Sequence, residues 1–179
     1  LVGSEMCIRD RSYRAGIEFD GIFYVDDYFT IKPNITFSSN KNNDYLTQFD
    51  GSLQNFGKTD ISFSPNLIFG NSIDFKMNDK TLLFFNTKYV GKQYMSNTNV
   101  ESSVLASYLV NDLGINHSFS IPGFSDDSEL KLLINNLFNQ KYESYGGHYF
   151  YDIDDKTFSG AYFYPMAEIN FLIGLDFNF

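Results

Sequence analysis

Tryptophan is absent from this chain, cysteine occurs once, and Lys and Arg together number 13 against 22 Asp and Glu. Each scarcity excludes something. The lone Cys7 cannot close an internal disulfide. The few basic residues are scattered through a chain of net charge -9, whereas a nucleic-acid surface needs them clustered, so no nucleic-acid partner is expected. No apolar run reaches the roughly 18 residues of a transmembrane helix. Strands that cross a bilayer alternate polar with apolar residues and leave a faint signal per segment, so this absence leaves a membrane β-barrel open. No secretory signal is visible, and with Leu1 rather than Met in first place that says nothing about compartment. What is plentiful is aromatic: 20 Phe and 13 Tyr, 18% of the residues.

Residues 1–12 (Leu-Val-Gly-Ser-Glu-Met-Cys-Ile-Arg-Asp-Arg-Ser) look like translated sequencing-adapter read-through and share no periodicity with the rest of the chain. They are set aside as a non-native segment, and residues 13–179 are read as one unit. That unit contains no convincing helix of three turns. Its clearest strand is the last, where Ala167, Ile169, Phe171, Ile173, Leu175, Phe177 and Phe179 alternate with Glu168, Asn170, Leu172, Gly174, Asp176 and Asn178. A run of this length exceeds the roughly nine to eleven tilted residues that span a bilayer.

The same alternation recurs upstream. Ile17 and Phe19 oppose Glu18 and Asp20, and Phe29, Ile31, Ile35 and Phe37 oppose Thr30, Lys32, Asn34 and Thr36. A third strand is read from Ile61 to Phe75, and a fourth on Leu83, Phe85 and Tyr89. The fifth rests on Leu109, Leu113, Ile115 and Phe119, and the sixth on Leu130, Leu132 and Ile134. Connections alternate in length. Short ones lie near 25–27, 77–80 and 120–127, and long polar ones at 40–58, 96–103 and 146–160. Outer-membrane barrels have short periplasmic turns and long extracellular loops, and the parity holds through all seven strands. Single-chain bacterial barrels use an even count of eight or more strands, so seven suggest a piece of something larger. The expected fold is all-β: a partial transmembrane antiparallel β-barrel of about seven up-and-down strands in an open, curved sheet. Odd-numbered residues should face outward. Glu18, Asn34, Asp74, Lys88, Asp112, Lys131, Asn170 and Asp176 should share the inner face. Pro33 and Pro65 are the likeliest places for a register shift, because neither can donate to a ladder.

Four local sequences resemble the C-terminal region of TonB-dependent outer-membrane receptors, in the form found in Bacteroidetes. They are Lys88-Tyr89-Val90-Gly91-Lys92-Gln93-Tyr94 with Asn97-Thr98-Asn99, Tyr108-Leu109-Val110-Asn111-Asp112-Leu113, Ile134-Asn135-Asn136-Leu137-Phe138-Asn139-Gln140-Lys141-Tyr142-Glu143, and Tyr164-Pro165 ahead of the final strand. The end of the chain is similar to the signal read by the barrel-assembly machinery, at Gly174, Phe177 and Phe179, and departs from it at Leu172, where a polar residue is usual. The resemblance implies a location in the cell outer membrane, in contact with lipid. It implies a roughly 22-stranded barrel around an N-terminal plug, importing a scarce small nutrient (siderophore-iron, haem, cobalamin or glycan). The energy would arrive from the TonB complex through the plug, which these residues do not include. A soluble or surface β-rich binding module is the alternative; it would bury the apolar face under a second sheet.

No enzyme is expected. There is no nucleophile elbow, Gly57-Lys58-Thr59 lacks the leading glycine of a P-loop, and His117 reads as an interfacial aromatic within a strand. The loop from Gly146 to Asp155 gathers His148, Tyr149, Phe150 and Tyr151, which are the candidate ligand contacts, since aromatics give a large contact area at small entropic cost. It lacks the spacing of a calcium loop, and neither metal nor cofactor is expected there.

Overall fold

A computed structural model describes residues 11–178. Cys7, nearly all of the set-aside segment and the terminal Phe179 lie outside the described residues. In chain order, β1 (Ser12–Asp20) and the two-residue β2 (Phe23–Tyr24) lead into β3 (Phe29–Asn42). A first excursion carries β4 (Leu46–Phe49), β5 (Ser52–Asn55) and β6 (Thr59–Asp60). It returns as β7 (Leu67–Asn78), which turns tightly into β8 (Thr81–Val90). A second excursion holds β9 (Gln93–Tyr94), a single 3-10 turn (Glu101–Ser103) and β10 (Val104–Leu105) before β11 (Tyr108–Ile121) and β12 (Ser125–Asn135). The third holds β13 (Glu143–Ile153) and β14 (Lys156–Pro165), and the chain closes on β15 (Asn170–Asn178).

Seven long strands form one antiparallel wall in the order β1-β3-β7-β8-β11-β12-β15, each beside its neighbour along the chain. The up-and-down expectation holds. All three long connections leave from one end of the wall. β1 begins at Ser12, the last residue of the set-aside segment, which pairs with Asn42.

Register assigns the faces, because residues directly opposite in an antiparallel pair point the same way. Glu18, Asn34, Asp74, Lys88 and Asp112 lie on one face, joined there by Lys131, Asn170 and Asp176. The odd-even rule itself fails in one strand. Asn116 pairs with Lys131 and Lys131 with Gly174, so in β12 the odd residues are the polar ones. The shift arises in the β11–β12 hairpin, where the pairing slips between Phe119 and Ile121, and it reverts in β15. Neither proline is responsible. Pro33 sits in register opposite Asn71, and Pro65 precedes β7.

Two strand boundaries also differ from expectation. The third wall strand starts at Leu67, not Ile61, because Phe63 has a positive φ of 52° and the segment is held sideways by the second excursion. Ser62 N–H donates to Asn97 Oδ1, Asp60 N–H to Asn99 Oδ1 and Phe63 N–H to the Tyr94 carbonyl. The last strand starts at Asn170, not Ala167, because the Asn136-Leu137-Phe138-Asn139 turn captures the three residues before it. Asn136 Nδ2 donates to the Ala167 carbonyl at 3.1 Å, and Ile169 N–H donates to Asn139 Oδ1 at 2.9 Å. Both asparagines have φ 52°, a conformation asparagine tolerates better than most residues.

Among the described residues, nothing covers the apolar face. Phe171, Ile173, Leu175 and Phe177 are 65%, 74%, 55% and 38% exposed, as expected of a surface selected for lipid. The buried apolar residues Tyr45, Ile61, Met95 and Leu105 all belong to the excursions, and Val90 to the end of the wall beneath them. The core lies in the cap.

Candidate functional site

The long polar connection read at 146–160 is part of a regular hairpin. β13 and β14 pair from Glu143–Pro165 to Ile153–Lys156, and Asp154 and Asp155 take the positive φ of 50° and 59° that a two-residue type I′ turn requires. Residues adjacent in a strand point to opposite faces, so the four candidates separate into two pairs. His148 and Phe150 lie on one face and Tyr149 and Tyr151 on the other. The expectation of a single cluster is corrected by this pleat.

The His148 face packs against the other two excursions. His148 Nε2 is 3.0 Å from Ser102 Oγ, its ring meets Phe150 at 4.7 Å, and burial lowers its pKa below the ordinary 6.5. Phe150 meets Phe49 edge-on at 5.8 Å, and Phe49 in turn meets Phe56 at 5.6 Å. Gly146 lies so close to Met95 that a Cβ there would sit 2.7 Å from the Met95 sulfur. The hairpin tips interlock. Asp50 N–H donates to Thr157 Oγ1 and Thr157 N–H to Asp50 Oδ1, both at 2.7 Å, while Thr157 Oγ1 donates to Asp152 Oδ1 at 2.5 Å. Asp50 and Gly51, both at positive φ, form the matching tight turn of the β4–β5 hairpin. Asp50-Gly51 is a sequence signal for such a turn, and its partner 107 positions away is not readable from it.

The opposite face of the hairpin is open and aromatic. Tyr149, Tyr151, Phe158, Tyr162 and Tyr164 are each about half exposed. Tyr149 and Tyr151 stack at 6.2 Å, and Tyr151 and Phe158 at 5.7 Å. At the base of the hairpin Tyr145 stacks on Phe63 at 5.3 Å, which ties the third excursion to the first.

Sequence reasoning missed a cavity of about 300 Å³ at the cap end of the polar face, lined by Lys88, Tyr108, Asp112, Asn135, Tyr142 and Asn170 among others. Tyr108 and Tyr142 stack at 4.4 Å to form one side. Burial, with Asp112 nearby, raises the Tyr142 pKa and keeps its hydroxyl a neutral donor. Asp112 is committed to the backbone, accepting the Asn136 N–H at 2.8 Å. The Asn136 motif residue therefore builds the rim of this cavity. No group of three or more His, Cys, Asp or Glu side chains positioned to hold a metal ion occurs among the described residues.

Gly174, at the middle of β15, faces Lys131 on the polar face, where a Cβ would meet the Lys131 Cβ at 3.6 Å. Phe177, near the far end of the wall, lies on the apolar face, edge-on to Phe124 at 5.6 Å.

These features define a class: the chain is an open, up-and-down antiparallel wall, as of part of a β-barrel, capped by hairpin loops at one end. Solved structures share the fold. The siderophore receptor PiuA from Acinetobacter baumannii superposes with a TM-score of 0.71 over 93% of this chain and 22% of that one, at 15% identity. The closed form of the ferric-catecholate import receptor Fiu from E. coli gives 0.64 over 92% and 20%, at 16% identity. The ferric citrate transporter FecA in its unliganded form gives 0.60 over 83% and 21%, at 16% identity. The chain spans about a fifth of the length of these receptors. No family model and no curated protein sequence matches it.

Proposed function

We propose that this chain is the C-terminal part of the wall of an outer-membrane receptor that imports a scarce small nutrient with energy relayed by TonB. The observation that carries the reading is the wall itself. It is one layer thick, most of its charged residues are gathered on one face with Lys41 at the cap end as an exception, and its other face leaves Ile173 74% and Phe171 65% exposed. A soluble module of this size would cover such a face, whereas hydrocarbon covers it without a second sheet. The fold shared with siderophore and ferric-citrate receptors supports the same reading, and the four sequence motifs resemble the Bacteroidetes form of the family. The nutrient is siderophore-iron, haem, cobalamin or a glycan. Gly174, Phe177 and Phe179 serve as the assembly signal, and the interlocked loops hold the ligand contacts, with Tyr149 and Tyr151 on the accessible side.

The test uses the complete gene product. Replacing residues 146–160 with a short Gly-Ser linker abolishes ligand binding and uptake while outer-membrane insertion, read by membrane fractionation and heat-modifiable gel mobility, stays intact. Recovery of the unaltered protein in the soluble fraction rejects the receptor reading. Undiminished uptake by the linker variant removes the hairpin from the binding site.

A further inference from the structure

Two glycines decide how the hairpin's tyrosines lie. Gly160 is the cross-strand partner of Tyr149, and Gly147 that of Tyr162. A Cβ at Gly160 would sit 2.4 Å from Tyr149 Oη and 2.5 Å from its Cζ; at Gly147 it would sit 2.3 Å from both Cζ and Oη of Tyr162. Each ring therefore lies across the bare backbone of its glycine partner instead of standing up from the sheet. A ring lying flat turns one π face to the protein and the other to solvent, and these two tyrosines remain 52% and 50% exposed. They come from opposite strands at successive same-face rungs of the ladder, beside Tyr151, Phe158 and Tyr164, the last meeting the Tyr162 ring edge-on at 5.6 Å.

We propose that this face binds a neutral oligosaccharide, with Tyr149 and Tyr162 as adjacent stacking platforms. The inference rests on the receptor reading above and names a ligand class for its outer hairpin. A pyranose ring offers a flat C–H face that matches an exposed tyrosine face, and hydroxyls around its rim for the phenols nearby. Tyrosine supplies such contact area with few rotors to immobilise. Charge selects against the other candidates. Residues 143–165 carry Glu143, Asp152, Asp154 and Asp155 against Lys156 alone, a balance of -3 with His148 neutral. That balance repels a negatively charged ferric chelate and a phosphate-bearing lipid surface, and it does not penalise an uncharged sugar.

The experiment takes the complete gene product in detergent over an array of neutral oligosaccharides, with the strongest binder carried into calorimetry. Tyr149→Ala with Tyr162→Ala weakens binding about tenfold or more, whereas the double Phe variant, which keeps both ring faces, stays within about threefold. Gly160→Val, which forces the Tyr149 ring off the backbone, weakens binding in the same direction; the double Ala variant keeps both glycines and guards against a hairpin that merely misfolds. The proposal is overturned if no neutral oligosaccharide binds or if the double Ala variant binds as the parent does. It is equally overturned if ferric citrate or lipopolysaccharide vesicles, and not sugars, show the dependence on Tyr149 and Tyr162. None of these outcomes bears on outer-membrane insertion, so the receptor reading stands or falls separately.

Discussion

The wall and the cap of this chain treat their apolar side chains in opposite ways. In the wall, side chains such as Ile173 are apolar and exposed, and the sheet holds by its ladders and by polar-face pairs such as Lys131 with Asp176 and Lys32 with Asp74. In the cap, apolar side chains are enclosed: Leu105 is 1% exposed, Met95 6% and Ile61 6%. The cap obeys the rule of a water-soluble core, where burial itself stabilises. The wall departs from it, since its apolar side chains are left uncovered; on the receptor reading proposed above, hydrocarbon would take the place of the missing layer. A contact of the same kind is therefore worth different amounts at the two ends.

Truncating an apolar side chain at each end tests the contrast most strongly. Leu105→Ala costs about 2–5 kcal/mol of cap stability, because it opens a cavity in a closed environment. Ile173→Ala costs within about 0.5 kcal/mol, as for other substitutions that leave no cavity. Urea unfolding of the complete gene product in detergent, followed by a probe in each region, reads both, and equal losses would erase the distinction. Charge reverses the order. Ile173→Arg, near the middle of β15, costs about 2–4 kcal/mol in a bilayer, while Leu172→Arg, on the polar face, costs far less. Similar losses at both positions would mean that lipid does not contact this face.

The junction of the two regions comes next. Asn136 is 3% exposed, and its side chain donates to the Gln140 and Ala167 carbonyls and accepts the Gln140 N–H. Asn136→Ala leaves those groups unpaired and places alanine at positive φ, for a loss of about 1–3 kcal/mol. Backbone hydrogen exchange at Ala167–Ile169 accelerates, while exchange in β7 and β8 stays as it was. The smallest effect is the pH response of the cap. The docked His148 has its pKa held below 6.5 by burial, and an undocked hairpin would return it to that value. The undocked state then binds more protons in acid, so docking is complete above about pH 6.5 and weakens as pH falls through the window beneath it. His148→Gln should flatten that response, measured as protease accessibility of the hairpin against pH, and a wild-type cap indifferent to acid would place the histidine outside the docking contact.

Period-two alternation is a local property, and it was enough to read from sequence the seven wall strands, their polar and apolar faces and the side from which the long loops leave. It failed wherever a distant contact overrode local preference. Ala167 to Ile169 alternate correctly for a strand, yet the Asn136-Asn139 turn takes their hydrogen bonds. Ile61 and Phe63 alternate as well, and the second excursion pulls them out of line. The reversed parity of β12 was already legible in Leu130, Leu132 and Ile134, but the hairpin irregularity that produces it was not. At the candidate site, the residue types were legible as a dense aromatic stretch, but their division was not, because that stretch was read as a loop, for which no pleat assigns faces. The flat tyrosines depend on which residue lies across the ladder, and the latch depends on Asp50 meeting Thr157. Sequence alone determined a wall with one polar and one apolar face, since solvent preference is written in each side chain. Only the tertiary structure decided which rings face outward and which loops hold one another, because register and docking belong to pairs of residues far apart in the chain.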